Sequence, residues 1–195
     1  MPFWSTNFGQ DATLKDPKRK HRFTVEFQGI NAAQGGALLW YAKTATKPGF
    51  SINATEHKYL GHTFYYPGNV TWDSVTVTLV DPVDPDVTAT FADIVAAGGY
   101  TPPTDANSLG TVSKAKATGA LGTVLITQLD GDGNPVESWT LWNAFVLSMK
   151  QDDLDYTSDD LSTTTVELRF DWARVETLNN SSAVNGSGGN EFFKA

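Results

Sequence analysis

Three histidines, a run of aspartates, a glycine-aspartate turn and a basic cluster are the residues of this chain whose types could do chemistry. His57 and His62 stand five apart with His21 far upstream, and no serine or cysteine in a nucleophile-elbow setting accompanies them. Ordinary hydrogen-bonding histidines are expected rather than a metal pair. Asp130-Gly131-Asp132-Gly133-Asn134 begins like a calcium loop, but Pro135 stands where the sharp-turn glycine belongs and Leu141 where the bidentate glutamate belongs. It therefore reads as a hairpin turn. Asp152, Asp153, Asp155, Asp159 and Asp160 could hold a cation or supply paired carboxylates for glycoside hydrolysis. With Tyr156 as the one adjacent aromatic, they read better as a solvated or protein-binding surface. Lys18, Arg19, Lys20 and Arg22 make a short basic cluster without interleaved aromatics, which suits an acidic protein partner better than phosphates. No catalytic residue, metal site or cofactor is expected, and the chain is not expected to be an enzyme.

The elements that must carry these groups are mostly strands. The 195 residues are enough for a real core in one domain, and aromatics at 12% with many short Val, Thr, Phe and Trp runs favour β structure. There is no cysteine, so disulfides and thiolate metal sites are excluded, which fits a reducing compartment. A formal net charge of -8 argues against a surface that binds nucleic acid as a whole. The first ten residues lack a basic stretch followed by an apolar one, so no export signal is expected, and no membrane association.

The clearest strand runs from Val70 to Asp81: Val75, Val77 and Leu79 face one way, and Ser74, Thr76 and Thr78 the other. With His62–Tyr66 and the turn-prone Pro67-Gly68-Asn69, residues 59 to 81 read as a β-hairpin. Phe23, Val25 and Phe27 mark a first strand and Leu38 to Thr46 a second. The connection 47–61 has no stable period and reads as a long functional loop. Asp86 to Ala97, with Val87, Phe91, Ile94 and Val95 on one face, an aspartate cap and a Gly98-Gly99 stop, is the one helix expected. Tyr100 to Ala117 reads as a loop, while 121–129, 136–147 and 161–175 read as strands, the last with Val166, Leu168, Phe170 and Trp172 inward and Glu167, Arg169 and Asp171 outward. Residues 1–15 read as a docking arm with Phe3, Trp4 and Phe8, and 179–195 as a linker-like tail ending in a Phe192-Phe193 tip. The fold class is mainly β: a sandwich or barrel of two packed antiparallel sheets with one flanking helix at about 86–97.

Four stretches taken together, DPKRKHRF at 16 to 23, WYAKTATKPGF at 40 to 50, HKYLGHTFYYPGNVTWDSVTVTLVDPV at 57 to 83 and LDYTSDDLSTTTVELRFDWA at 154 to 173, resemble the tail tube proteins of contractile-tailed, T4-like bacteriophages. Related tubes occur in contractile bacteriocins, type VI secretion and phage-like injection systems. The resemblance implies a single tail-tube domain over 1–195, six copies in a ring, rings stacked into a tube and a contractile sheath outside. Baseplate and tail-terminator proteins are the further partners, DNA passes through the lumen without specific binding, and the protein resides in the virion tail after assembly in the host cytoplasm. It also implies that the loop 47–61 reaches the adjacent ring, with Lys47, Pro48, Gly49, Phe50, Ser51, Glu56, His57 and Lys58 as contact candidates, and that the termini join such contacts.

Strands with one aliphatic and one small polar face can join between subunits into a continuous barrel that leaves no exposed edge. Ser74, Thr76 and Thr78, with Glu167, Arg169 and Asp171, are the candidates for a wet, neutral to negative lumen wall. The cluster Lys18, Arg19, Lys20 and Arg22 is expected to meet Asp152, Asp153, Asp155, Asp159 and Asp160 of a neighbouring subunit. The tube of a secretion or injection system is an alternative, and a carbohydrate-binding β-sandwich or an enzyme working at the acidic loop are others. The last two predict a monomer, whereas a tube subunit must form rings or filaments.

Overall fold

Alternation along the chain builds the core directly. In the strand Val75–Val80, the side chains of Val75, Val77 and Leu79 are fully buried, and Thr76 and Thr78 stand on the opposite face. This is a computed structural model of the chain, describing residues 17–30, 42–104, 110–177 and 191–193. The described strands are β1 (Phe23–Phe27), β2 (Ala42–Ala45), β3 (Phe50–Tyr59), β4 (His62–Trp72), β5 (Val75–Val80), β6 (Val124–Leu129), β7 (Pro135–Trp142), β8 (Phe145–Gln151), β9 (Thr163–Arg169), β10 (Trp172–Thr177) and β11 (Glu191–Phe192). Two helices, α1 (Val87–Ala97) and α2 (Lys114–Leu121), lie between β5 and β6.

Two antiparallel sheets pack face to face, one ordered β1-β6-β7-β10-β11 and the other β2-β5-β9-β8, while β3 and β4 form a separate ribbon. Val25, Phe27, Val124, Ile126 and Leu141 of the first sheet meet Val75, Val77, Leu79, Val166 and Leu168 of the second in one core. The sandwich expected from the sequence is present, and the 130–135 turn joins β6 to β7 as a hairpin: Asp130 Oδ1 accepts from the backbone N–H of Asp132 and Asn134 at 2.9 and 2.8 Å.

Helix α1 forms where its pattern indicates. The Asp86 carboxylate accepts the Ala89 N–H at 2.8 Å, and Val87, Phe91 and Ile94 are buried, with Phe91 edge-on to Phe27 at 5.6 Å. Helix α2 begins in the stretch read as loop, 100–117, and runs past its end to Leu121. It buries only Leu121, so it has no apolar stripe to betray it; Ser113 caps its start and Gly122, at φ +70°, ends it. A Cβ on Gly122 would lie 2.4 Å from the Gly29 nitrogen, so the two backbones can meet there only with glycine.

Three strand assignments are corrected. The hairpin is 50–72, not 59–81: Leu60 and Gly61 at φ 46° and 79° form the turn, and Pro67-Gly68-Asn69 lies inside β4. There the register slips between Ile52 and Ala54, and a bulge on a two-stranded ribbon accommodates a proline without its N–H. The span 136–147 breaks at Asn143, at φ 53°, where the chain crosses from the first sheet to the second. The span 161–175 breaks likewise at Phe170-Asp171, and the inward phase shifts by one residue, so that Trp172 is exposed while Ala173 and Val175 are buried. The expected arm 1–15, the start of the second strand at 38–41 and the tail from 179 to 190 fall outside the described residues. Among the described residues, no helix is long and apolar enough to cross a membrane.

Candidate assembly interface

The hydroxyl face of the four-stranded sheet is built by register. Antiparallel pairing places Thr76 opposite Glu167 and Thr78 opposite Thr165, whose hydroxyls lie 3.4 Å apart. Ser74, just ahead of β5, donates to Glu167 Oε1 at 2.6 Å, and Ser148 of β8 donates to Glu167 Oε2 at 3.2 Å. These two bonds, followed by the nearby charges of Lys150 and Arg169, hold the Glu167 carboxyl below its usual range. Ser74, Thr76 and Arg169 are therefore brought together around the Glu167 carboxylate, and Thr78 lies on the same face opposite Thr165. Asp171 is not among them. It stands at the corner past β9, where Lys114 Nζ at 2.6 Å and Asn143 Nδ2 at 2.8 Å bind it and lower its carboxyl, while its own N–H donates to Trp142 O at 3.1 Å. Both crossovers between the sheets are thus tied together by one aspartate. Trp142 and Trp172 stack beside it with ring centroids 6.3 Å apart.

The residues expected to form a loop toward another ring divide into body and arm. Pro48 is buried, and Gly49 accepts the Asp73 N–H at 2.8 Å, which closes the root of the ribbon. Phe50 packs on Trp72 at 5.3 Å, Trp72 on Phe170 at 5.9 Å, and Phe193 reaches both Phe50 and Trp72 at 5.6 and 5.4 Å. The phenylalanine tip of the tail therefore clamps the base of the arm of its own chain. Beyond the root, Ser51, Glu56, His57 and Lys58 stand on an exposed ribbon together with Ile52, Tyr59, Leu60, Phe64, Tyr65, Tyr66 and Val70. A two-stranded ribbon with this much bare apolar surface is marginal alone in water and fits a protein partner. Alternation along 50–59 is faint in sequence because both faces of the ribbon carry mixed residues, which is why no strand was legible there.

The charged groups distribute unevenly. Lys18 Nζ donates to Glu137 Oε2, Lys47 Nζ reaches Glu137 Oε1 at 2.6 Å and Gln128 Oε1 at 2.7 Å, and Trp139 Nε1 donates to Glu137 Oε1 at 2.6 Å. Burial pushes the Glu137 carboxyl up, but these donors outweigh it and bring it to about 2. Glu137 carried no sequence signal beyond being an acid in phase with the apolar Trp139 and Leu141 of β7. Arg19 accepts from Gln128 Nε2 through its carbonyl at 3.1 Å, the Arg22 guanidinium lies against Gly131, and Lys20 is exposed. The acidic loop between β8 and β9 is fully exposed and partly self-bonded: Asp152 accepts from the Thr163 N–H at 3.1 Å, Asp155 from the Thr157 N–H and hydroxyl at 2.9 Å each, and Asp160 from the Ser158 hydroxyl at 3.1 Å. Asp153 and Asp159 flank it, with Leu154, Tyr156 and Leu161 bare beside them.

Among curated proteins the chain finds no match. Solved structures of similar fold include a chain in the anti-feeding prophage cap that terminates the tube, at 17% identity and TM-score 0.61 over 86% of this chain and 96% of that one. A chain of the extended sheath-tube complex of an extracellular contractile injection system aligns at 17% identity and TM-score 0.58 over 83% and 93%. A chain of the anti-feeding prophage baseplate aligns at 19% and 0.56 over 83% and 96%. At these identities the likeness is one of fold. The family model described as T4-like virus tail tube protein gp19 matches residues 19–173, from the basic cluster through both sheets to the start of β10, and the chain therefore belongs to the tail tube protein family of T4-like viruses.

Proposed function

We propose that this chain is the subunit of stacked six-membered rings that form the inner tail tube of a contractile phage tail, a conduit for DNA inside a sheath. The observation that carries this reading is the sheet β2-β5-β9-β8, with one face in the core, one face of hydroxyls around Glu167, and edge strands β2 and β8 that have no further strand beside them among the described residues. Joining β2 of one copy to β8 of the next would satisfy both edges and turn the hydroxyl faces inward around an axis. The arm 50–72 and the chain termini then make contacts between rings, and the sheath, baseplate and terminator proteins meet the tube from outside and at its ends. The tail of the virion is its place, with assembly in the host cytoplasm, and the role is structural, not catalytic.

On the proposed wall, Lys150 and Arg169 stand with Glu167, so the expected neutral to negative surface becomes two cations around one acid, with Asp171 held away at the corner. DNA passage then depends on Glu167 keeping those cations engaged. Lys18 is bound to Glu137, and Arg19 and Arg22 also make contacts within the chain, so a pairing of the cluster Lys18, Arg19, Lys20 and Arg22 with the acidic loop of a neighbour has to be made in addition to those contacts. Surface pairs are individually worth about 0–1 kcal/mol, so repetition around the ring has to supply their effect. Reversing the sign of either patch is expected to impair assembly and reversing both to restore part of it; no recovery in the double reversal means that the patches do not pair.

The injection-system alternative shares every assembly step and is compatible with the fold likeness to a chain of a sheath-tube complex of an extracellular contractile injection system. It differs only in cargo. Negative-stain imaging with size-exclusion chromatography of the purified protein tests the common core of both: rings or tubes are the expected result, and a persistent folded monomer overturns it in favour of a binding module or enzyme.

A further inference from the structure

Three parts of the chain that lie far apart in sequence meet at the carboxylate of Glu137. Its side chain is only 10% exposed, in β7 of the five-stranded sheet. Lys18 comes from the segment ahead of β1, 119 residues away in sequence; Lys47 comes from the connection between β2 and the arm, 90 residues away. Each ammonium takes a different oxygen, and Trp139 Nε1 fixes the carboxylate from its own strand. Gln128 closes the ring of contacts by accepting from Lys47 and donating to the Arg19 carbonyl.

Lys47 stands two residues ahead of Gly49, whose carbonyl closes the arm root, and three ahead of Phe50, whose ring begins the aromatic clamp. Holding Lys47 therefore holds the direction in which the arm leaves the body. Both lysines are about half exposed and bring two like charges to one spot, so without the carboxylate they would separate into water.

We propose that Glu137 is a shared anchor that fixes the N-terminal segment and the root of the arm in one relation, and is thereby a positioning residue for ring stacking. The stacking part rests on the tube reading above; the anchoring part does not. Two segments that reach toward other copies have to arrive in register at the same time, and one buried carboxylate sets both at once.

Hydrogen exchange followed by mass spectrometry on the full chain tests the anchor. Glu137→Gln keeps the shape and an acceptor for Trp139 but removes the charge. It is expected to raise exchange several-fold in both 17–22 and 46–49, while the core strands β5 and β9 stay at wild-type rates. Lys18→Met is expected to loosen only 17–22, and Lys47→Met only 46–49. If Glu137→Gln does not fold, the Lys18→Met/Lys47→Met double variant, built on half-exposed positions, is expected to loosen both segments together. Unchanged exchange at either segment in Glu137→Gln, or loosening of both by a single lysine variant, overturns the anchor. For stacking, Glu137→Gln is expected to leave rings intact and shorten tubes several-fold, and tubes of normal length overturn the positioning role. A wild-type protein that makes no tubes at all defeats the tube reading instead, and the exchange comparison still decides the anchor.

Discussion

A buried carboxylate whose three donors all come from this chain gives Glu137 a measurable signature in acid. Its folded value of about 2 lies below its ordinary 4.5, so the stability it contributes is complete above about pH 4.5 and is lost as pH falls toward 2. Glu137→Gln lacks that contribution at every pH. It is expected to cost about 1 kcal/mol near neutrality, a modest figure because both ammonium groups are half exposed and regain water. Urea midpoints of wild type and variant measured from pH 6 down to 2 are expected to converge toward the acid end. Parallel curves would show that Glu137 is not held by its lysines. Asp171, Glu167 and Asp155 titrate low in both proteins and cancel from the comparison.

Among the elements, the arm is the one whose removal is expected to separate folding from assembly. Replacing residues 52–70 with a two-residue glycine-containing turn keeps Phe50 and Trp72, which clamp the root with Phe170 and Phe193. The sandwich core lies wholly outside the replaced stretch, so the far-UV spectrum less the ribbon, and a thermal midpoint within a few degrees of wild type, are expected. Rings are expected without long tubes; tubes of normal length would show that the arm is not the contact between rings. How much of this was legible depended on burial. β5 and α1 could be read because their buried faces are uninterrupted, Val75-Val77-Leu79 in one and Val87-Phe91-Ile94 in the other. The arm reads as a loop in sequence because a ribbon without a core face has no period, and Pro67-Gly68-Asn69 imitates the turn that Leu60-Gly61 makes. The corners at Asn143 and Phe170-Asp171 leave little trace in sequence because a strand that changes sheets keeps an apolar face on both sides of the break and shifts only its phase. Of the proposed interface, the hydroxyl face was visible in sequence, whereas Glu137 could emerge only from tertiary contacts across 90 and 119 residues.

At the scale of the whole molecule, the proposed lumen face of the sandwich has a consequence for DNA that can be measured. Glu167 is bonded by Ser74 and Ser148 and stands between Lys150 and Arg169, so Glu167→Gln leaves two cations per subunit without their acid. Tubes of this variant are expected to hold DNA more strongly, with binding that falls steeply as salt rises, because each added phosphate contact releases counterions. DNA retention equal to wild type over a salt series would place this face away from the lumen. The most direct test of the central claim is a cryo-electron-microscopy reconstruction of tubes grown from the purified chain. The expected result is six-fold rings in which β2 of one copy pairs with β8 of the next and Thr76, Thr78 and Glu167 line the channel. An inner wall built from the five-stranded sheet, a ring of another order, or a protein that stays monomeric at high concentration would contradict it.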